Sequence, residues 1–472
     1  MHGSPPTVFP VAPRTLLGAS PLLATPQEDR HAIRAGQDPE LWREVRELSS
    51  VPLAARHRDR FVVAPLDILP VEHAGRREFQ LIELNGTGIG GLTNMPEPCV
   101  AAVLAGLSEL AAAVLRLGHA APLVLIGISD RQWHSSPRHN PLAHEKVLYA
   151  DALARGFERC GTTPTVCTLD AAIAAADAGT WPPEGPTVVL GYSREFLPHL
   201  RADAGRLALL GAPVGGVVND RLFHNITRKL GAVDPAQVVV ANACHHAGSD
   251  KGAATIVANA LLARRGPQFP SLRRSYAFAW AADRGELIAA VLRWLRERRS
   301  GVVIKPCGTG GGDGVEFFLD PDEPDAAITE RVHTSVTRTE RAFGTSVFPY
   351  TLCEYLDTAT WPAHGHHFHG HKYELRVVVH REGAQLRAFP SIVKFSCERY
   401  DPAEIRRPML LNNITAGSAH TGTPGRRHML PLCNRETLAA LAMTPAQLGE
   451  LCRFGAVYVH AVLDHLDAPH AP

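Results

Sequence analysis

A mixed chain, α/β through its middle and α+β towards its end, is what the sequence predicts, and three patterns predict it. Between residues 122 and 219 short apolar runs alternate with helical stretches, the signature of a parallel sheet with helices on its faces. Earlier, residues 61–69 and 78–84 read as two strands joined by polar turn material at His73, Ala74, Gly75 and Arg76. After residue 284 a helix, a glycine-dense turn and several separate strands describe a mixed half.

In chain order, the first thirty-odd residues are rich in Pro and Ser and predict loose order. A short helix is expected over 39–48, and an Ala/Leu helix over 97–117 has apolar residues on most faces, hence a buried position. The middle region predicts strands at 123–128, 165–169, 187–190 and 214–218, and helices at 145–160, 171–178 and 194–209. Helices at 252–265 and 284–298 precede a strand at Val302. Further strands are expected at 317–319, 350–356, 374–380 and 385–389, with two helices between 435 and 466. No internal repeat is present.

With 472 residues and 45% apolar content the chain can bury a large core in two or three subdomains. A net charge of +1 argues against nucleic acid or an anionic membrane as the main partner. No apolar run reaches a membrane span and the N-terminus lacks a charged-then-apolar signal. Nine scattered cysteines without a C-x-x-C fit reduced thiols, so a cytoplasmic protein is expected, and a homo-oligomer is compatible with the sequence. Lysine occurs only at 146, 229, 251, 305, 372 and 394 in an arginine-rich chain, so each lysine carries more information than usual.

The most telling stretch runs from Val302, Val303 and Ile304 through Lys305 and Pro306 to Gly308, Gly310, Gly311, Gly312 and Gly314. A lysine leaves a buried strand and a glycine turn follows at once. Glycine lets backbone approach closely, and unpaired N–H groups bind anions, so a polyphosphate suits this stretch. The lysine precedes the glycines, which excludes a Walker A loop. Taken alone, a surface turn after a strand is the alternative.

Other segments add to it. Asp250 and Lys251 open a helix about fifty residues upstream, where Asp250 is by itself an N-cap candidate. Thr351 to Leu356 is a strand carrying Cys353 and Glu354, equally an ordinary core strand with one acid. Lys372, Glu374 and Arg376 alternate with apolar residues, as any amphipathic strand does. Near the N-terminus, Asp67 precedes Glu83 and Asn85, which lie two apart on the paired strand and so share a face. Carboxylate and amide oxygens of this kind suit Mg2+. Gly86, Gly88 and Gly91 formally match G-x-G-x-x-G, but Pro96 and Pro98 delay the helix and no acid-tipped strand follows, against a dinucleotide site. His364, His366, His367, His369 and His371 invite a metal, yet their spacing defines no tetrahedral set, and a loop near the site mouth is the preferred reading. His245 and His246 read as a solvated turn or a substrate-facing pair.

Lys305 with its glycine loop, the Asp250–Lys251 pair, the strand to Leu356 and the Lys372–Arg376 strand together resemble the ATP-grasp superfamily. The Lys372 strand and Leu411, Asn412 and Asn413 are most similar to its tubulin-tyrosine-ligase-like members. The resemblance implies that Lys251 and Lys305 grip ATP phosphates, that Gly308, Gly310, Gly311, Gly312 and Gly314 close over them, and that Lys372 contacts the nucleotide. It implies an adenine edge at Glu354 and Leu356, where Cys353 departs from the family's Glu-Glu pair. Asp67, Glu83, Asn85 and Glu374 would hold Mg2+, and Arg376 with Lys305 would act in catalysis. The family carries its metal strands after the phosphate loop. Here they come first, which implies a circularly permuted ATP-grasp fold with a preceding α/β domain. The expected divisions are 1–118 (metal strands), 119–250 (α/β domain), 251–345 (lid with glycine loop) and 346–472 (C-terminal subdomain). An ATP-dependent ligase joining a small-molecule or peptide carboxylate to an amine is the activity implied. A kinase and a non-catalytic nucleotide-binding protein are the alternatives.

Overall fold

The computed structural model describes residues 33–73, 75–86, 92–128, 141–218, 222–231, 233–234, 236–309, 312–343, 347–412 and 428–467. Asp38 accepts hydrogen bonds from the amides of Glu40 and Leu41, and Pro39 occupies the first helical turn, so the helix Pro39–Leu48 starts where expected. Three strands follow around it: β1 (Val51–Pro52), β2 (Val63–His73) and β3 (Arg76–Leu84), the last two forming an antiparallel hairpin. Gly75 turns that hairpin at φ +74°, a conformation open to glycine and strained for other residues.

A parallel sheet occupies the middle of the chain. Its strands are β4 (Leu123–Ile128), β5 (Thr165–Thr168), β6 (Thr187–Tyr192), β7 (Leu200–Asp203), β8 (Arg206–Leu209), β9 (Ala212–Val218) and β10 (Val239–Ala241). The parallel part runs β5-β6-β4-β9-β10, with the β7-β8 hairpin attached antiparallel to β9. The helix expected over 194–209 does not form; helix stops at Phe196. Pro198 cannot continue it, and Ala204 (φ 46°) with Gly205 (φ 78°) makes the left-handed two-residue turn that joins hairpin strands. Leu200, Leu207 and Leu209 then bury their side chains beside β9.

The third sheet comprises β11 (Phe278–Ala281), β12 (Val302–Pro306), β13 (Glu316–Phe318) and β14 (Tyr350–Glu354), antiparallel in the order β11-β14-β12-β13. Helices Arg284–Arg298 and Asp325–Phe343 cover it. The second of these was not expected. Its Thr- and Arg-rich composition masks a single apolar stripe, Ile328, Val332 and Val336, spaced by four. Last come β15 (His371–Glu382), β16 (Gln385–Arg399) and β17 (Met429–Pro431), which return to the N-terminal strands. The first sheet is therefore β1-β16-β15-β2-β3 with β17 beside β16, antiparallel throughout. The fold is mixed α/β with three sheets among the described residues.

Three contacts dock two helices and the parallel sheet onto the first sheet. Helix Pro445–Asp467 crosses the back of β2 and β15 at Gly455, where a Cβ would stand 2.9 Å from Leu66 Cδ1. Arg381 donates to the carbonyls of Phe61 (3.1 Å) and Gly106 (2.9 Å) and pairs with Glu109, tying β15 to helix Glu97–Leu115. That helix, bearing Glu97 and Glu109 as its only charges, is long and apolar enough to cross a membrane, which the sequence reading did not anticipate, and half of its most apolar window is buried within the fold. Asn242, buried and at φ 60°, accepts from the amides of Val62 (2.8 Å) and Val63 (3.0 Å) and donates to the Val63 carbonyl. Its side chain thus imitates a strand neighbour and docks the parallel sheet onto β2.

Replacing Asn242 by Ala strands buried backbone groups of Val62 and Val63, and urea denaturation is expected to show a loss of about 3 kcal/mol; a loss below about 1 kcal/mol would remove Asn242 from this role. A second expectation concerns His380. Burial lowers its pKa from 6.5 to about 4, against the raising influence of Glu382 and with Arg46 and Arg387 adding to the fall. The folded form therefore keeps a neutral ring while the unfolded chain takes up a proton. The associated stability is complete above pH 6.5 and drains away as pH falls towards 4, by about 3 kcal/mol at 1.36 kcal/mol per unit. His380→Gln should flatten that part of the stability–pH curve relative to wild type; parallel curves would count against it.

Candidate functional site

One cleft, about 1060 Å³ including its open mouth, lies between the first and third sheets. The first sheet supplies Asp67 and Leu69 from β2, Ile82 and Glu83 from β3, Glu374 and Arg376 from β15, and Lys394 from β16. A bulge explains why neighbours on β3 both face it. Asp67 pairs with Glu83 and Ile68 with Leu81, so Ile82 is the extra residue. From the third sheet come Val303 and Lys305 of β12, Phe317 of β13 and Glu354 of β14. Lys251, at the start of helix Lys251–Arg265, and Leu410 to Asn412 complete the walls.

The charged side chains on the first sheet form one network. Asp67 receives Arg376 Nε and Nη2, both at 2.8 Å, Lys394 Nζ at 3.1 Å and Asn85 Nδ2 at 3.1 Å. Lys394 also pairs with Glu374. Burial pushes the Asp67 carboxyl up, but Arg376 and Lys394 outweigh it and hold the group well below the usual carboxylate range. Glu374 goes the other way: burial lifts its carboxyl to about 7 in spite of Lys394, with Asp67 adding to the rise. Arg376 keeps its charge although buried, because Asp67 lies against it.

Across the cleft, Asp250 caps the helix through the amides of Gly252 (2.8 Å) and Ala253 (3.2 Å) and receives Trp280 Nε1 at 3.0 Å. Its role is that of an N-cap. Lys251 Nζ turns back to the Thr309 carbonyl at 3.2 Å and lies 3.3 Å from Glu83 Oε1. The Gly308 amide bonds to the Ser249 carbonyl at 3.0 Å. Gly308, Gly312 and Gly314 take φ values of +66°, +77° and +68°, and of these Gly312 lines the cleft. Gly310, Gly311 and Asn413 lie outside the described residues. Lys305 sits 5.7 Å from the centre of the Tyr276 ring.

Glu354 is not an open acid. Arg273 Nη2 reaches both its oxygens at 3.1 Å and the Ala277 amide donates at 3.0 Å. Leu356 lines the same end of the cleft. Lys372 is the expected nucleotide contact that the structure does not bring to the wall. It shares the face of Glu374 and Arg376, yet its ammonium bonds to Asp357 at 2.7 Å and lies 4.0 Å from the Tyr400 ring centre. Burial lowers its pKa against the opposing pull of Asp357.

The expected Mg2+ set narrows when existing partners are counted. Four donors saturate Asp67 and Lys394 takes Glu374, so in this structure both acids act as counter-ions. Glu83 lies on the cleft wall with Lys251 Nζ 3.3 Å from its Oε1, a longer contact than those that hold Asp67 and Glu374, and Asn85, with Nδ2 committed to Asp67, offers Oδ1 as its oxygen donor. Among the described residues no three His, Cys, Asp or Glu side chains converge on a metal position. Mg2+ held by one or two protein oxygens together with substrate phosphates requires no such cage, and Glu83 with Asn85 fits that pattern. The histidines of 364–371 pack on one another instead: His364 and His369 rings lie 4.3 Å apart, His366 and His367 4.4 Å, and Phe368 stacks on Phe395 at 3.7 Å.

Lys394 was missed by sequence reasoning, although its type was a signal: three of six lysines, 251, 305 and 394, line the cleft. Arg273 and Tyr276 carried no comparable signal.

No family model matches this chain and no curated protein matches it. Among solved structures it is similar to D-alanyl-alanine synthetase A from Vibrio cholerae O1 biovar eltor, at 10% identity and a TM-score of 0.35, over 74% of this chain and 82% of that one. A likeness of that score carries no functional information.

The glycine loop yields a test of its own. A Cβ on Gly314 would meet Thr339 Oγ1 at 2.7 Å and Pro306 Cγ at 2.8 Å, on top of a left-handed φ, whereas one on Gly75 meets nothing within 4 Å. Gly314→Ala is therefore expected to destabilise by roughly 2–4 kcal/mol, from strain plus overpacking, and Gly75→Ala by about 1 kcal/mol. Equal losses in chemical denaturation would contradict this packing of the loop.

Proposed function

We propose that the protein is an ATP-dependent carboxylate–amine ligase of the ATP-grasp type, with the order of its core circularly permuted. The observation that carries this reading is a convergence. A lysine-and-glycine cradle from the third sheet faces an acid-and-arginine wall from the first across one cleft, and Lys251 lies 3.3 Å from Glu83. In sequence Lys305 follows Glu83 by 222 residues and Lys251 follows it by 168.

In this reading ATP lies between the sheets, its base towards Glu354 and Leu356 and its phosphates towards Lys251, Lys305 and the glycine loop. The ammonium groups and backbone amides hold the donor in place, which is most of what phosphoryl transfer asks of a protein. Mg2+ held by Glu83 and Asn85 would neutralise charge on the bound phosphates. Arg376, kept cationic and aimed by Asp67, would face the charge that spreads onto a substrate carboxylate as it is phosphorylated and then attacked by an amine. Leu411, Val315 and Phe317 line the cleft and would keep water from the acyl phosphate. The substrates are a small-molecule or peptide carboxylate and an amine. Nine free cysteines support a reducing, cytoplasmic setting.

Glu83→Ala and Lys305→Ala are expected to lower ADP formation at least about 100-fold while melting like the wild type. Screening ADP release against pairs of amino acids and small acids provides the acceptors. Phosphate released free marks a ligase, phosphate retained on product marks a kinase, and ADP formed at the wild-type rate by either variant would sink the proposal.

A further inference from the structure

We propose that Arg407 is a positioning residue for the nucleotide, latching the closing turn of the glycine loop from outside the cleft. The inference rests on the nucleotide-binding reading of the cleft above. The turn is defined by the Val315 amide bonding to the Gly312 carbonyl at 3.3 Å. Arg407 spans it, with Nη2 donating to the Gly312 carbonyl at 2.5 Å and Nε to the Val315 carbonyl at 3.2 Å. A fork of fixed geometry is what two carbonyls at one turn require; a lysine could reach one at a time. Four residues further on, Leu411 packs against the same glycine, since a Cβ on Gly312 would stand 3.2 Å from Leu411 Cδ1. Leu411 also lines the cleft, so one short segment touches both the loop and the space it borders.

The loop's carbonyls are held from two directions. Lys251 takes the Thr309 carbonyl at 3.2 Å on one flank, and Arg407 takes those of Gly312 and Val315 on the other. A trans peptide is planar, so a carbonyl drawn towards Arg407 turns the N–H of the same peptide unit the opposite way. Arg407 thereby sets the direction of amides in a loop whose glycines permit many others. Its side chain belongs to the C-terminal half while the loop belongs to the third sheet, so the latch joins the two bodies that wall the cleft. Release of a nucleotide gripped by the loop then requires the latch to open.

Two readouts test this. Hydrogen exchange of the amides from 312 to 316 needs no nucleotide: Arg407→Gln should raise it about tenfold, and Arg407→Lys by less, because one ammonium restores one of the two bonds. Dissociation of N-methylanthraniloyl-ATP with Mg2+ should also quicken about tenfold in Arg407→Gln and be partly rescued in Arg407→Lys, with melting temperatures preserved because Arg407 is exposed. Unchanged exchange overturns the latch. Raised exchange with unchanged dissociation overturns its control of the nucleotide. Failure of the wild-type protein to bind the probe overturns the nucleotide reading, while exchange still decides the latch separately.

Discussion

A single buried carboxylate, Asp67, organises the centre of this molecule. Ionised acids do not stay buried without partners, and Asp67 has partners on two other strands and just past a third: Arg376 on β15, Lys394 on β16 and Asn85 beyond the end of β3. A buried ion cluster of this kind is a poor source of net stability. It is a strong source of specificity. Slipping any one of these strands by a residue would turn its charged side chain to the opposite face, into the apolar packing beneath. The cluster therefore selects the register in which N-terminal and C-terminal strands meet, and with it the wall of the cleft.

That register has consequences for charge. Lys394 and Arg376 lie against Asp67 and Glu374, and Lys251 against Glu83, so these acids of the first sheet have cation partners within the protein.

The remaining contacts hold the first sheet against its neighbours. Asn242 docks the parallel sheet onto β2, Arg381 ties β15 to the Ala/Leu helix, and Gly455 admits the last helix close to the back of the sheet. Arg407 reaches from the C-terminal half to the glycine loop. Each joins segments far apart in sequence, so the cleft depends on the whole fold.

Much was legible without coordinates. Alternating apolar runs mark the parallel strands, Asp250 marks the start of helix Lys251–Arg265 as its N-cap, and glycine density beside Lys305 marks the loop, because these signals are local. Local signals also misled: Pro198 and the Ala204–Gly205 turn outweigh the helical appearance of 194–209, and the stripe of Ile328, Val332 and Val336 is concealed by its polar neighbours. Tertiary structure alone decided that Lys372 pairs with Asp357 while Lys394 enters the cleft, that Glu354 is held by Arg273, and that Asp67 serves Arg376 as counter-ion. The physical reason is distance along the chain. Residue type and spacing determine what a side chain can do, but its partner is chosen by strand register and by packing between segments that no short window contains.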